Sequence, residues 1–315
     1  MSFIPARNDP YQLVTDSILA HLDHGVVPWR CPWNRTTGRP RNFHTGREYH
    51  GVNVLLLGLL HFPSPWWMTF RQAQERAGCV RKGERGALVM KFGRWDKAVK
   101  NGDGTEDKKT TLFLKSYRVF NATQIEGIEF PPVESGPQLD AAQRITRAEQ
   151  IIAQMPQPPT IGAGRTTQAC YRRQSDTIEM PAFARFDSPE SFHLTLFHEL
   201  IHSTGRESRL SRKDVTDTDG LGGKTYSQEE LDAEMGAACL GTEAGIVRDH
   251  HEQSAAYLQG WLDVLRVQEH RRWIVQATNQ AGRAADFILG RNAVDSSAAP
   301  SPGEPAEQPA LPTAA

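Results

Sequence analysis

The sequence predicts an α+β protein of two domains, and three observations carry that prediction. Two runs rich in Leu, Val, Phe and Tyr, Ala87 to Lys97 and Thr111 to Asn121, read as strands, while the segments before and after them carry apolar residues at helical spacing. Pro131 to Gln138, with two prolines and a Ser-Gly-Pro, marks a change of composition that reads as a linker. The near-zero net charge hides an asymmetry: residues 1–130 hold 19 Lys and Arg against 12 Asp and Glu, net +7, leaving 17 against 25, net −8, for the remainder.

In the first region Leu13, Val14, Ile18 and Leu22 recur at helical spacing and Gly25 closes that helix. A Trp-, Pro- and Arg-rich loop covers Pro28 to Gly46, and a second helix starts near Gly51. A third has Thr69 as its expected cap and Gly78 as its stop. The two strands follow, joined by the polar segment Asn101 to Lys109. The expected domains are therefore 1–130 and 139–290, separated by the linker 131–138 and followed by an Ala-, Pro- and Ser-rich tail, 291–315, expected to be disordered.

The second region opens with an amphipathic pattern from Leu139 to Met155, and Asp176 to Pro181 reads as a short strand with the character of a substrate-binding edge. Next comes Phe197-His198-Glu199-Leu200-Ile201-His202, an HExxH motif. Histidines four apart share a helix face, so both imidazoles can reach one metal ion while the intervening glutamate acts on water. Ser188 as cap, Pro189 at the first helical position, Glu190 in the first turn and Gly205 beyond the end place this helix at about 189–204. His193, five residues before His198, is expected to project to the surface.

A catalytic zinc needs a third protein ligand. The segment Tyr226 to Leu240 reads as a second helix in which Ser227 and Glu230 form a capping box, which assigns Glu230 to the cap. Glu234, one turn deeper and followed by Gly236, Ala237 and Ala238, is the expected third ligand, with Glu230 in reserve. Glu229 and Asp232 are expected on a solvated face. A helix over about 250–275 and a last one ending at Leu289 complete the region.

With 38% hydrophobic and 23% charged residues the composition is that of a globular protein. Cys31, Cys79, Cys170 and Cys239 are scattered without a C-x-x-C pair, which excludes a cysteine-rich zinc module and points to a reducing cytoplasm. The longest apolar run, Val52 to Leu60, is too short to span a bilayer, so no membrane partner is expected.

Five of the seven tryptophans, Trp29, Trp33, Trp66, Trp67 and Trp95, fall in the basic region among Arg30, Arg35, Arg39, Arg41, Arg47, Arg81, Lys82 and Arg85. Rings that stack on bases and cations that neutralise phosphates are what a single-stranded DNA groove requires. The expected DNA-binding set is Trp29, Arg30, Trp33, Arg35, Arg41, Asn42, Arg47, Tyr49, Arg81, Lys82 and Arg85.

Pro28-Trp29, Pro40-Arg41-Asn42, Thr45-Gly46-Arg47-Glu48-Tyr49, Gly51-Val52-Asn53, Trp67-Met68-Thr69, Gln72-Ala73 and Arg81 to Gly86, followed by the HExxH segment, resemble the ArdC-type antirestriction proteins of conjugative plasmids over about residues 8–290. The resemblance implies an N-terminal single-stranded-DNA-binding domain, also found at the front of plasmid primases, and a C-terminal zincin-like metallopeptidase domain that together protect incoming DNA from host restriction. Ser203 departs from the family's commoner wording, in which an aromatic residue often follows the second histidine.

The combined expectation is a metal site of His198, His202 and Glu234 holding Zn²⁺ or another divalent cation such as Mn²⁺, with Glu199 as general base and Tyr226 as oxyanion stabiliser. Its protein substrate, a restriction-system component or a DNA-bound protein, is open. Two rivals stand beside it: a non-enzymatic protein that coats single strands around a structural or vestigial metal site, and a protease for proteins crosslinked to DNA, resembling Spartan-type enzymes.

Overall fold

The structure, a computed structural model, describes residues 9–30, 38–100, 106–133, 139–164, 166–212, 228–246 and 255–291, with backbone alone at Arg30 and Ala255 and along 94–100 and 106–112. Trp33, Arg35, Tyr226 and Ser227, most of the expected linker and almost all of the expected tail lie outside the described residues.

Helix α1 (Pro10–Asp23) starts where Asp9 accepts the Tyr11 amide at 3.0 Å and Pro10 presets the first turn. Its buried stripe is Val14, Ile18 and Leu22. Strand β1 (Arg41–Asn42) and helix α2 (Val52–Gly58) follow. Strand β2 (Trp66–Thr69) runs directly into α3 (Phe70–Glu75), because Thr69 and Gln72 form a reciprocal capping box that satisfies the amides at the junction. Strand β3 (Cys79–Val80) later pairs with β6 (Ile125–Glu126).

Strands β4 (Ala87–Lys100) and β5 (Glu106–Asn121) form a long antiparallel hairpin that reaches further than the expected strands and takes up Glu106 to Lys109 of the polar segment. The sheet order is β1-β2-β5-β4, with β1 and β2 parallel and the other pairs antiparallel.

Beyond residue 139, α4 (Ala141–Ala153) is capped reciprocally by Asp140 and Gln143. Strands β7 (Thr160–Ala163), β8 (Cys170–Arg172) and β9 (Thr177–Met180) form a sheet of order β7-β9-β8. The expected edge strand, β9, is thus the central one, with β7 parallel on one side and β8 antiparallel on the other. Pro181 does not oppose this, because the ladder ends at Met180 and the missing amide is not needed.

Helices α5 (Pro189–Ser203), α6 (Gln228–Ala244), α7 (Ala255–Leu265) and α8 (Trp273–Ile288) complete the fold. The single helix expected over 250–275 is broken: Val267 takes extended backbone, a 3₁₀ turn covers Gln268–His270, and α8 starts afresh.

Two large apolar clusters hold these elements. One joins Val14, Ile18, Leu22 and Trp29 to Leu55 of α2, Leu231 and Met235 of α6, Trp261 of α7 and Ile274 of α8. The N-terminal helices therefore bury their apolar faces against the C-terminal ones rather than among themselves. The other cluster packs Ile151, Ile178, Met180, Phe197, Ile201 and Leu240 between α4, the β7-β9-β8 sheet, α5 and α6. A Cβ on Gly236 would lie 2.5 Å from Ile201 Cδ1, so the glycine is what lets α6 approach α5 this closely.

Candidate functional site

Helix α5 brings the HExxH histidines together. Ser188 accepts the Ser191 amide at 3.0 Å and Pro189 opens the helix, so its face is set before the motif begins. His198 and His202, four residues apart, approach to 3.0 Å between their Nε2 atoms. Helix α6 crosses them with Glu230, whose Oε2 is 3.4 Å from His198 Nε2 and whose Oε1 is 3.6 Å from His202 Nε2.

These separations suit a metal ion. Tetrahedral ligands held about 2.0–2.1 Å from zinc lie about 3.3 Å from one another, and the three donor pairs here bracket that spacing. His198, His202 and Glu230 are also the group whose ligand atoms all fall within 4.8 Å of one another among the described residues. Of the two expected candidates for third ligand, the structure brings Glu230, the one held in reserve, to the histidine pair, and Glu234 is not in the converging group. Glu230 is the third residue of α6, at the helix end that meets the histidines, whereas Glu234 sits one turn further on and lines the adjoining cleft.

That cleft, of about 310 Å³, is bounded by Leu194, Thr195 and His198 of α5, by Glu230, Glu234, Ala237 and Ala238 of α6, and by Ile246. Its lining mixes polar and apolar side chains and includes two of the three converging residues, His198 and Glu230.

Behind the histidines lies a buried charge network that the sequence did not reveal. His202 Nδ1 donates to Glu229 Oε1 at 2.9 Å, and Arg212 holds both Glu229 oxygens at 2.9 Å and Asp232 Oδ2 at 2.9 Å. Arg212 also donates to the Ile201 carbonyl at 2.7 Å, tying the network to the C-terminal turn of α5. Glu229 and Asp232, expected on a solvated face, are 7% and 1% exposed. No local pattern could signal this, because Arg212 meets α6 across a long stretch of chain. A carboxylate on the distal nitrogen of a ligating histidine fixes its tautomer and raises its basicity.

Burial alone would push His202 down, but the Glu229 hydrogen bond and the charges of Glu229, Glu199 and Glu230 outweigh it and hold its pKa up at about 9. The same carboxylates make the site attractive to a cation. Glu199 is buried, and its charge is felt at both His202 and Cys170. His193 is buried as well, its Nδ1 2.7 Å from the Pro189 carbonyl, so the expected surface placement is corrected: it serves the first turn of α5.

The expected DNA-binding residues divide. Trp29 is withdrawn as a stacking platform, because it is 1% exposed and packs edge-to-face on Trp261 at 5.5 Å, inside the shared core. Arg41 is exposed but pairs with Glu48 at 2.7 Å. Asn42 spends its amide on loop geometry, donating to Gln72 at 3.1 Å and accepting from the Thr45 amide at 2.9 Å. Tyr49 is half-buried, and burial pushes its hydroxyl up against the opposing hydrogen bond from Asn42. Arg47, Arg81, Lys82 and Arg85 are exposed, with Arg81 paired to Glu84 at 2.9 Å. The Arg30 side chain, Trp33 and Arg35 lie outside the described residues. Among the described residues, no helix is long and apolar enough to cross a membrane.

Comparison with known proteins agrees with this architecture. Residues 8–120 match the N-terminal domain of anti-restriction factor ArdC, and residues 146–280 match a zincin-like metallopeptidase. An Escherichia coli protein named DNA primase TraC is 34% identical over 298 residues, covering 89% of this chain and 27% of that protein, so the chain spans about a quarter of its length. An uncharacterized protein, y4eC, of Sinorhizobium fredii (strain NBRC 101917 / NGR234) is 32% identical over 292 residues, covering 89% of this chain and 91% of that one.

Crystal structures of the antirestriction ArdC protein from the R388 plasmid are similar in both a metal-free and a Mn(II)-bound form. The first has TM-score 0.68 and 36% identity, covering 89% of this chain and 97% of that one. The second has TM-score 0.66 and 34% identity, covering 91% and 100%. With a relative matched nearly end to end and both family models in sequence order, the chain belongs to the ArdC antirestriction family, with two-domain α+β architecture and a zincin-like metallopeptidase-type second domain.

Proposed function

We propose that this protein binds single-stranded DNA through its basic N-terminal region and carries, between α5 and α6, a divalent-metal-dependent peptide-hydrolysing site, the two serving to protect incoming DNA from restriction. The observation that carries the enzymatic half is the convergence of His198, His202 and Glu230 within 4.8 Å beside a cleft. The family's Mn(II)-bound relative supports a divalent cation, and the ligand set of two imidazoles and a carboxylate suits Zn²⁺ equally.

In this reading His198, His202 and Glu230 hold the cation, which when bound supplies the Lewis acidity that activates water and polarises the scissile carbonyl. Glu199, adjacent to His198 on α5, takes the proton from the attacking water and passes it to the leaving amine. Glu229 keeps the His202 ring oriented, and Arg212 holds the Glu229 carboxylate in place through both oxygens. The cleft walled by Leu194, Ala237 and Ile246 receives the side chain next to the bond being cut. Tyr226 is retained as the oxyanion donor of this reading.

The DNA half rests on the +7 charge of residues 1–130 and on the ArdC N-terminal match. The intact chain is the right material, since α1 and α2 share a core with α6 to α8. Fluorescence anisotropy with a labelled single strand and its duplex, across a salt series, should show preference for the single strand and steep weakening with salt. Equal, salt-insensitive binding would end the DNA reading. For the enzyme, the metal-loaded chain is incubated with an unfolded protein substrate, and cleavage that vanishes on chelation and returns with Mn²⁺ or Zn²⁺ is expected. A loaded chain that leaves unfolded and DNA-bound proteins alike intact would favour the coating role.

A further inference from the structure

We propose that the outer face of the β4-β5 hairpin is a single-stranded DNA platform, built from Phe113 and Tyr117 with Lys91 and Lys115. It rests on the DNA-binding reading above but lies on residues outside the loop and turn set derived from the sequence. In the antiparallel register Val89 opposes Tyr117, Lys91 opposes Lys115 and Gly93 opposes Phe113, so these residues share one face of the hairpin. At its root this face is core, with Val89 and Val119 packed on Leu57 and Trp67. Further out it turns into solvent, where Tyr117 is 40% and Phe113 38% exposed.

Two features distinguish this face from a core that failed to be covered. Each ring has an ammonium near its face, Lys115 Nζ at 5.2 Å from the Phe113 centroid and Lys91 Nζ at 6.0 Å from that of Tyr117. The two lysines are also directly opposite across the ladder, a like-charge pairing that costs hairpin stability unless an anion sits between them. Along β5 the rings are four residues apart, about 13 Å at strand rise, with the lysine pair midway. Two aromatic platforms flanking paired cations are the chemistry that receives two bases and the phosphate between them. Gly93 belongs to the device. A Cβ there would collide with the Phe113 ring, so only glycine lets that ring lie across the strand. The backbone register continues outward with Trp95 opposite Thr111 and Lys97 opposite Lys109.

The test uses the full chain and a fluorescein-labelled oligothymidine. Phe113→Ala and Tyr117→Ala should each weaken binding about tenfold. Lys91→Ala with Lys115→Ala should flatten the plot of log affinity against log salt by about 1.4, two phosphate contacts' worth for a single strand. Lys115→Glu is the decisive variant. It places opposite charges across the ladder, so the melting temperature should hold or rise while DNA affinity falls at least tenfold. A purely structural face would respond in the opposite sense, with affinity following stability. Parental affinity and salt slope in all these variants would overturn the platform while leaving the DNA reading intact, and a parent chain that binds no single strand would instead overturn the reading beneath it. Weakened binding to an unfolded protein, with DNA binding unchanged, would assign the face to a protein partner and reject the proposal.

Discussion

His202 Nδ1 lies 2.9 Å from Glu229 Oε1, and the same carboxylate is gripped on both oxygens by Arg212. His202, which sits beside the cleft-lining His198, is thus anchored to a buried guanidinium through one carboxylate, and the orientation of its Nε2, 3.0 Å from His198 Nε2, depends on Arg212 acting through Glu229.

Glu229→Gln should keep the shape and lose the charge. The expected result is a 10- to 100-fold loss of Mn²⁺ or Zn²⁺ affinity by calorimetry. The fold should survive at a cost of about 1–3 kcal/mol, because Arg212 retains Asp232 and the Ile201 carbonyl. Unchanged metal affinity would show that Glu229 serves the fold alone.

Glu230 and Glu234, both on α6, separate cleanly by metal content. Glu230→Ala should abolish stoichiometric metal in the purified chain, whereas Glu234→Ala should retain it, since Glu234 lines the cleft without reaching the histidine pair. Elemental analysis decides between them, and full retention in Glu230→Ala would return the third ligand to Glu234.

Glu199→Gln removes the proton acceptor and nothing from the ligand set. Metal content and single-strand affinity should match the parent, while hydrolysis falls by about 10² to 10⁴ in a peptide-release assay. Cleavage at the parental rate would remove Glu199 from the reaction. If the variant still shields DNA from a restriction nuclease as well as the parent, coating suffices for protection.

Asp176 binds Arg209 through both oxygens at 2.8 Å and accepts the Tyr171 hydroxyl at 2.8 Å. Burial pushes its carboxyl up, but Arg209 and Tyr171 outweigh that and hold it below the usual carboxylate range. A depressed acid stabilises the fold above its unfolded pKa, about 3.9, and the contribution disappears as pH falls through the lower folded value. Asp176→Ala should therefore lower stability by about 3 kcal/mol at pH 7, because Arg209, 1% exposed, loses its counter-charge. The gap between variant and parent should close towards pH 2. A gap independent of pH in denaturant titrations would mean that packing, not the ion pair, is responsible.

What the sequence by itself determined is what spacing along one chain segment controls. Ser188, Pro189 and the four-residue interval from His198 to His202 define a capped helix with two imidazoles on one face, and helical geometry leaves no other arrangement. Thr69 with Gln72 likewise set the turn from β2 into α3. The charge asymmetry and the family motifs along residues 8–120 were equally local and equally legible.

Tertiary structure decided everything that depends on how two segments meet. Glu230 rather than Glu234 reaches the histidines because the crossing of α5 and α6, set by Gly236 against Ile201, brings the first turn of α6 to them. Trp29 looked like a stacking platform because a tryptophan among arginines reads the same whether it faces a base or Trp261. Glu229, Asp232 and Arg212 are polar letters in sequence and a buried network in space. Burying charge is favourable only when a partner from elsewhere in the chain arrives to neutralise it, and no local pattern records that arrival.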